Sequence, residues 1–208
     1  MTVRMVLASL NAGKVAEVQR ILGSEGVRLV GMEALDLPEV AETGATFDEN
    51  ALLKARAAAE ATGLPAVADD SGLCVDALNG MPGVLSARWS GRRGKGHDVD
   101  VANLDLLLAQ IAEVPDDRRG AAFVCAAALA LPSGRSVVCF GEVRGRLIRD
   151  RRGAGGFGYD PVFIPEGHHR TTAEMSPAEK DAISHRGLAF RALAERLPEL
   201  LPMSAGPG

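Results

Sequence analysis

Two adjacent carboxylates, Asp69 and Asp70, are the side chains of this sequence that are best suited to chemistry. They follow the apolar run 65–68 and precede Ser71 and Gly72, a pattern that predicts the end of a buried strand and a turn. A single Asp at such a place usually bonds its own backbone. Two together raise each other's pKa unless a cation or hydrogen-bond donors compensate, so the pair requires a metal ion, a lysine or a role in proton transfer.

The elements that must position these carboxylates are predicted by hydrophobic periodicity, which indicates an α/β fold. Capping boxes at Thr46 and Ser176 mark the beginnings of two helices, and Pro198 predicts the end of the second one. We expect one long mixed β-sheet flanked by helices, with loops that converge on a cleft, and a disordered tail over residues 204–208. The expected strands cover residues 3–8, 65–68, 73–77, 121–131 and 136–143, and the expected helices cover residues 14–22, 46–62, 98–112 and 176–197.

Composition and charge restrict the partners of the chain. With 208 residues, 47% of them hydrophobic, it can bury a core, and its net charge of -4 argues against nucleic acid, whose binders carry a basic face. The arginines between residues 144 and 152 are interpreted as a solvated hairpin edge. A lip that attracts a polyphosphate is the less favoured alternative for that run.

The expected location is the cytoplasm. Three cysteines without a CxxC pair indicate a reduced compartment. The apolar stretch 1–8 is too short for a signal peptide, and the longest apolar run, 121–131, is shorter than the ~20 residues that a membrane-spanning helix needs. We therefore expect a protein that binds neither a membrane nor nucleic acid.

Three glycine-bearing segments suggest nucleotide binding, and two of them fail on inspection. A P-loop is excluded because Ala8 stands where that motif needs glycine and Val15 where it needs Ser or Thr. Residues 153–158 match G-x-G-x-x-G, yet residues 159–161 continue as extended chain and open no helix. The segment 9–14 remains, because free backbone N–H groups at a helix N-terminus suit a phosphate, although a plain strand-to-helix turn is at least as common.

Six motifs in order along the chain carry a resemblance to one enzyme family. They are ASLNAGK (8–14), TFDENA (46–51) with KA (54–55), ADDSGL (68–73), PGV (82–84) with SAR (86–88), GGFGYDP (155–161) and SHRG (184–187). On these motifs the chain resembles the inosine triphosphate pyrophosphatases, which hydrolyse deaminated purine nucleoside triphosphates such as ITP, dITP and XTP to the monophosphate and pyrophosphate. The first loop departs from the family, which often has Thr-Gly-Asn there, and Leu10 lacks the backbone freedom of that glycine.

The resemblance implies a single two-lobed pyrophosphatase domain over residues 1–203 around a central active-site cleft, a homodimer, and Mg²⁺ as cofactor. Asp70 would be the general base and a Mg²⁺ ligand. Glu42 is the favoured second ligand, and Glu39 in the same loop is the alternative. The residues expected to bind the phosphates are Ser9, Leu10, Asn11, Ala12, Gly13, Lys14, Lys54 and Lys180.

By the same resemblance, recognition of the base would come from the C-terminal half. Phe157 and Tyr159 are among few aromatic residues, and we expect one to stack on the purine and the other to lie in the core. A 6-keto purine presents an acceptor at O6, so donors from His185 and Arg186 would select it over adenine. The residues expected in this pocket are Ser71, Phe157, Gly158, Tyr159, Asp160, His185 and Arg186.

The spacing of Lys180 and His185 has a structural consequence. On one continuous helix they would lie about 140° apart, too far for one small ligand. If both contact the same substrate, the helix must break near residues 184–187.

Two functions from different classes remain. The favoured one is a Mg²⁺-dependent pyrophosphohydrolase that removes deaminated purines from the nucleotide pool. The other is a nucleotide-binding sensor that has lost catalysis, and the presence of Asp70 and of the three lysines disfavours it.

Overall fold

The computed structural model describes residues 3–23, 27–35, 37–92, 94 and 96–201. The strands are β1 (Val3–Leu7), β2 (Val27–Gly31), β3 (Ala66–Val75), β4 (Gly120–Ala130), β5 (Ser136–Leu147) and β6 (Phe163–Pro165), and the α-helices are α1 (Ala12–Gly23), α2 (Phe47–Thr62), α3 (His97–Gln110), α4 (Pro177–Ile183) and α5 (His185–Leu200). Within the described residues the strands form one sheet in the order β2-β1-β3-β4-β5-β6. The first three are parallel and the other pairs are antiparallel, so the expected mixed sheet of an α/β fold is confirmed.

Apolar layers cover the two faces of the central strands. On one face α1 and α5 pack against the sheet through residues such as Val18 and Phe190. On the other face the alanines of α2, among them Ala51 and Ala55, meet alanines of β3 and β4. Because alanine side chains are short, α2 lies close to the sheet, which brings its Lys54 to the site described below.

The turn expected after Asp69 and Asp70 is absent, and that prediction is wrong. β3 runs unbroken from Ala66 to Val75 because β4 pairs with all 10 of its residues. Its other neighbour, β1, pairs with it only as far as Val67, so one edge of β3 is open from Ala68 to the isolated bridge between Cys74 and Pro82. The two carboxylates therefore lie in the middle of a strand, beside an open edge.

The far end of this open edge is covered by the 3-10 helix Gly83–Arg88. Ser86 Oγ accepts a hydrogen bond from Leu73 N at 2.9 Å and donates one to Gly83 O at 2.6 Å. The contact is close, since a Cβ on Gly72 would lie 2.3 Å from Gly83 O. Gly72 is therefore required by packing and not by a turn.

The helix break expected near residues 184–187 is confirmed. α4 ends at Ile183 and α5 begins at His185, with Ser184 between them in an extended conformation (φ -69°, ψ 149°). Ser184 Oγ accepts a hydrogen bond from Gly187 N at 2.9 Å and so caps α5. The break allows side chains of both helices to approach one ligand.

The ends of the helices differ from the expected ones by up to three residues. α5 continues through Pro198 to Leu200. Pro198 removes one backbone hydrogen bond, but only two helical residues follow it, so little of the helix depends on that bond. At the start of α2, Thr46 Oγ1 accepts a hydrogen bond from Glu49 N, as in a capping box. The reciprocal bond differs, because Glu49 Oε2 accepts from the N–H of Ala45 and not from that of Thr46.

Two further expectations concern the surface and the tail. Over the part of the chain that the structure describes, no helix combines the length and the apolar character needed to cross a membrane. The expected tail over residues 204–208 lies outside the described residues.

Gly72→Ala is expected to destabilise the fold by about 1–3 kcal/mol, because the added methyl group overlaps Gly83 O and forces β3 away from the 3-10 helix. Urea unfolding followed by circular dichroism measures the change. Gly31→Ala is the matched control, since Gly31 is also a strand glycine and a Cβ there meets no described atom within 4 Å. An unchanged free energy of unfolding for Gly72→Ala would contradict the close approach.

Candidate active site

A cavity of about 650 Å³ opens beside the unpaired edge of β3. This volume lies in the usual range of small-molecule sites. The backbone of Ala12 and Gly13, both expected in the site, forms the start of α1. The expected site residues that line the cavity are Ser9, Leu10, Asn11, Lys14, Glu42, Lys54, Asp70, Ser71, Phe157, Gly158, Tyr159, Asp160, Lys180, His185 and Arg186, together with the alternative metal ligand Glu39.

Asp70 is buried on β3, and hydrogen bonds fix the orientation of its carboxylate. Oδ2 accepts from Asn50 Nδ2 at 2.9 Å, and Oδ1 accepts from Ser71 N at 2.9 Å. Burial raises the pKa of Asp70, and the nearby carboxylate of Glu42 adds to this rise, against the opposing charges of Lys14 and Lys54 and the hydrogen bond from Asn50. A carboxylate of raised pKa and fixed orientation suits the abstraction of a proton.

Asp69 points to the opposite face of β3 and is held by cations. Its Oδ2 lies 3.1 Å from Lys14 Nζ and 3.2 Å from Arg186 Nε, and it accepts a hydrogen bond from Ser71 Oγ at 3.2 Å. Burial opposes ionisation, but Lys14 and Arg186 outweigh it, so the pKa of Asp69 lies well below its usual range. Its Oδ1 has no hydrogen-bond partner among the described residues. Asp70 is therefore the carboxylate of the pair that is available to a ligand.

Arg186 of α5 joins the same cluster and is itself buried. Its guanidinium donates to Asp69 Oδ2, to Glu17 Oε2, and to Ser71 Oγ at 2.8 Å. Burial disfavours the charge, yet Asp69 and Glu17 outweigh burial and raise the pKa of Arg186. Removing one member of such a buried network leaves an uncompensated charge, which costs about 3–5 kcal/mol.

Glu17 on α1 is a site residue that the sequence-based reasoning missed. It is only 2% exposed, and its Oε1 accepts a hydrogen bond from Ser184 Oγ at 2.8 Å. It thereby ties α1 to the break between α4 and α5. A signal was available, because Glu17 precedes Ile21 by one turn on the apolar side of α1, where a solvated carboxylate is not expected.

The loop before α1 is ordered by its own side chains. Ser9 Oγ accepts from Asn11 N at 3.3 Å, and Asn11 Oδ1 accepts from Lys14 N at 3.1 Å, which caps the helix. Leu10 packs against the apolar layer of α2. The N-terminus of α1, with the positive end of its dipole, therefore borders the cavity.

Lys54 and Glu42 form an ion pair on the cavity wall, with 2.6 Å between Nζ and Oε1. Burial disfavours the charge of Lys54, but Asp69, Glu42 and Asp70 outweigh it and raise its pKa. Burial likewise disfavours the charge of Glu42, but Lys54 and other cations outweigh it and lower the pKa of Glu42. Both groups are therefore ionised at neutral pH. Over the described residues no three His, Cys, Asp or Glu side chains form a ready-made metal site.

One of the two aromatic residues Phe157 and Tyr159 was expected in the core and the other at the ligand, and their environments in the structure differ accordingly. Tyr159 is buried in the core, and its hydroxyl donates to Ser86 O at 2.9 Å. Burial raises the pKa of Tyr159. Phe157 is half-buried at the cavity, with Lys180 Nζ 4.8 Å from its ring centroid. Phe157 is therefore the aromatic ring available for stacking.

Asp160 organises the residues around Phe157. Its Oδ2 accepts from Phe157 N at 2.8 Å and from Lys180 Nζ at 2.6 Å, and its Oδ1 accepts from Thr172 Oγ1 at 2.8 Å. Lys180, expected at the phosphates, thus contacts residues that are expected around the base.

His185 stacks on Phe123, with ring centroids 4.9 Å apart and planes inclined by 12°. Burial lowers the pKa of His185 well below its usual value, and Arg186 and Lys180 add to this. The imidazole is therefore neutral at pH 7, with one donor and one acceptor nitrogen. Phe123 also lines the cavity, and its place in the apolar run of β4 gives no signal of this in the sequence.

The arginine run between residues 144 and 152 lies outside the residues that line the cavity. Its members are exposed, and four of them pair with carboxylates: Arg144 with Asp76, Arg149 with Asp116, Arg151 with Asp105 and Arg152 with Glu174. These contacts agree with a solvated edge and not with a lip that attracts a polyphosphate.

The depressed pKa of His185 predicts a specific sensitivity to acid. Below about pH 6.5 the histidine of the unfolded chain binds a proton that folded His185 does not bind. The free energy of unfolding therefore decreases as the pH is lowered, by up to about 1.4 kcal/mol per pH unit. In His185→Gln the free energy of unfolding should therefore fall less steeply between pH 6.5 and pH 5, which urea unfolding at each pH measures. His168→Gln, at an exposed site, is the control. Equal slopes for the variant and the wild type would contradict a neutral, buried His185.

Known proteins are similar to this chain over almost its whole length. The model of the Ham1 family matches residues 5–196. A dITP/XTP pyrophosphatase of Frankia alni is 62% identical over 199 residues, which cover 95% of this chain and 98% of the relative. A dITP/XTP pyrophosphatase of Streptomyces coelicolor is 60% identical over 201 residues, with 95% and 98% covered.

Solved structures share the fold. A Ham1 protein from Coxiella burnetii superposes with a TM-score of 0.84 at 42% identity, covering 95% of this chain and 100% of that one. A nucleoside-triphosphatase, or dITP/XTP pyrophosphatase, from Mycobacterium abscessus superposes with a TM-score of 0.72 at 56% identity, covering 96% and 100%. Because the family match spans most of its length and its relatives are this similar, the chain belongs to the Ham1 family.

Proposed function

We propose that this chain hydrolyses the deaminated purine nucleoside triphosphates dITP, XTP and ITP to the nucleoside monophosphate and pyrophosphate. The observation that carries the proposal is a single cavity that joins Asp70, a carboxylate of raised pKa, to Lys14, Lys54 and the ring of Phe157. The names of the relatives support this substrate class. Such an enzyme removes deaminated purines from the nucleotide pool.

Asp70 is the proposed general base. A water that attacks the α-phosphorus must lose a proton as it does so. Asn50 and the N–H of Ser71 each occupy one lone pair of the carboxylate, which orients Asp70 and leaves acceptor positions for that water. The raised pKa of Asp70 makes it a better proton acceptor than an ordinary aspartate.

The residues around Asp70 fit a Mg²⁺ ion. The charge of Glu42 raises the pKa of Asp70, and a divalent cation held by both carboxylates would relieve their repulsion. Mg²⁺ is usually bound by one or two carboxylates and by substrate phosphates, so Asp70 and Glu42 suffice. Glu42 is preferred to Glu39 because of this electrostatic effect on Asp70. When bound, the ion supplies positive charge to the phosphate oxygens.

The triphosphate is proposed to lie between Lys14, Lys54 and the N-terminus of α1. Both ammonium groups and the helix dipole supply positive charge where the leaving pyrophosphate gains negative charge. Within this loop the backbone N–H groups of Leu10, Ala12 and Gly13 would contribute, because those of Ser9 and Asn11 already donate to Leu7 O and Ser9 Oγ. Lys180 remains a third proposed phosphate ligand.

The purine is proposed to stack on Phe157 with its O6 facing His185 and Arg186, beside Ser71 and residues 158–160. Neutral His185 has one N–H to donate. Arg186 has five N–H groups, and three of its hydrogen bonds are made within the protein, so donors remain. ATP would place an amino group against these donors, and each unpaired buried donor costs about 1–3 kcal/mol.

The alternative of a nucleotide-binding sensor without catalysis gains no support from the site, because a base, a carboxylate partner and cations all border one cavity. By resemblance to its family, the enzyme is further proposed to act in the cytoplasm as a homodimer. Neither property enters the chemistry proposed for the cavity.

The proposal predicts that the protein with Mg²⁺ releases pyrophosphate from ITP, dITP and XTP, and at least about tenfold more slowly from ATP. Asp70→Asn keeps the shape of the side chain but removes the base, so kcat should fall at least about 10²-fold. A pyrophosphate-coupled assay measures both effects.

The matched control is Asp76→Asn, since Asp76 pairs with Arg144 outside the cavity lining and its loss should leave kcat unchanged. Release of orthophosphate as the first product would contradict the proposed reaction. A kcat near the wild-type value for Asp70→Asn would remove Asp70 from the role of base.

A further inference from the structure

One cation at the cavity has no role in the site as described so far. Arg88 ends the 3-10 helix and lines the cavity, and its Nη1 donates to Glu42 Oε2 at 3.0 Å. Among the described residues no other acceptor contacts its guanidinium, so most of its five N–H donors are unused. Arg88 therefore has donors to offer to a ligand.

The backbone around Arg88 is anchored, whereas its side chain is not. Asn103 bonds the backbone before and after Arg88: Asn103 Nδ2 donates to Ala87 O at 3.2 Å, and Asn103 Oδ1 accepts from Ser90 N at 2.8 Å. The side chain of Arg88 is 39% exposed. A long side chain on a fixed backbone can change partners without a change in the fold.

Glu42 is occupied at both of its oxygens, by Lys54 at Oε1 and by Arg88 at Oε2. Each oxygen keeps a second lone pair that a metal ion could use. The ion would then lie next to the cation already bonded to that oxygen, and the repulsion between the two positive charges favours the release of one cation. Lys54 is only 14% exposed and also interacts with Asp69 and Asp70, which retain it. The pair between Arg88 and Glu42 is more exposed, and exposed ion pairs contribute little. Arg88 is therefore the partner that leaves.

We propose that Arg88 is a phosphate-binding residue that exchanges Glu42 for the pyrophosphate end of the substrate when a divalent metal ion binds Glu42. This inference rests on the proposed function. The planar guanidinium can donate two parallel hydrogen bonds to one phosphate, which Lys54 cannot do. Metal binding and phosphate binding are thereby coupled through a single carboxylate, because the metal ion takes Glu42 and frees Arg88.

Arg88→Ala should change the affinities for metal ion and for pyrophosphate in opposite directions, so the two roles of Arg88 can be measured separately. Without its competitor, Glu42 should bind Mn²⁺ about two- to fivefold more tightly in the absence of nucleotide, measured by the electron paramagnetic resonance signal of free Mn²⁺. Pyrophosphate should bind about tenfold or more weakly in the presence of Mg²⁺, measured by calorimetry. Arg88→Lys keeps the charge without the planar fork, and its pyrophosphate affinity should fall between those of the wild type and Arg88→Ala.

Arg144→Ala is the matched control, because it removes an arginine of an ion pair outside the cavity lining and should change neither affinity. Weaker binding of both Mn²⁺ and pyrophosphate by Arg88→Ala would make Arg88 a structural residue and overturn the inference. Pyrophosphate affinity equal to that of the wild type would overturn it as well. Failure of the wild type to release pyrophosphate from ITP, dITP and XTP would instead overturn the proposed function, so the two failures are distinguishable.

Discussion

The site depends on the one-sided pairing of β3. β4 pairs with the strand along its whole length, whereas β1 leaves it after Val67. The backbone of Asp70 is therefore held in the sheet by β4, while its other edge is open and borders the cavity. Side chains on regular elements are positioned more accurately than side chains on loops. The carboxylate proposed as the base consequently needs only Asn50 and the N–H of Ser71 to complete its orientation.

Beneath this edge, the balance of buried charge constrains three elements together. Asp69 of β3 and Glu17 of α1 face Arg186 of α5, and Lys14 of α1 completes the cluster with a second positive charge. No member is tolerated alone in the interior, because an unpaired buried charge is costly. Arg186 can enter the cluster because the chain breaks at Ser184, whose hydroxyl bonds Glu17. The ends of the cavity proposed for the phosphates and for the base are thereby linked through one network.

Features with a local signal were predictable from the sequence, and those set by distant contacts were not. The helix break at Ser184 was expected once the family resemblance placed Lys180 and His185 at one substrate, and the family motifs pointed to many of the residues that line the cavity. The continuity of β3 was missed, because Gly72 resembles a turn residue locally and only pairing with β4 keeps the strand extended. The pairing of Arg88 with Glu42 joins positions 46 residues apart, which no spacing rule connects. Local patterns therefore could not reveal the roles of Arg88 and Phe123, whereas the helical position of Glu17 did carry a signal that was missed.

The central claim is that Asp70 directs a water molecule to the α-phosphorus of the nucleotide. Hydrolysis of ITP in H₂¹⁸O, with mass spectrometry of both products, tests this most directly. The account predicts ¹⁸O in inosine monophosphate and none in pyrophosphate, because the cations of the cavity stabilise pyrophosphate as the leaving group. Incorporation of ¹⁸O into pyrophosphate would place the attack at the β-phosphorus and contradict it.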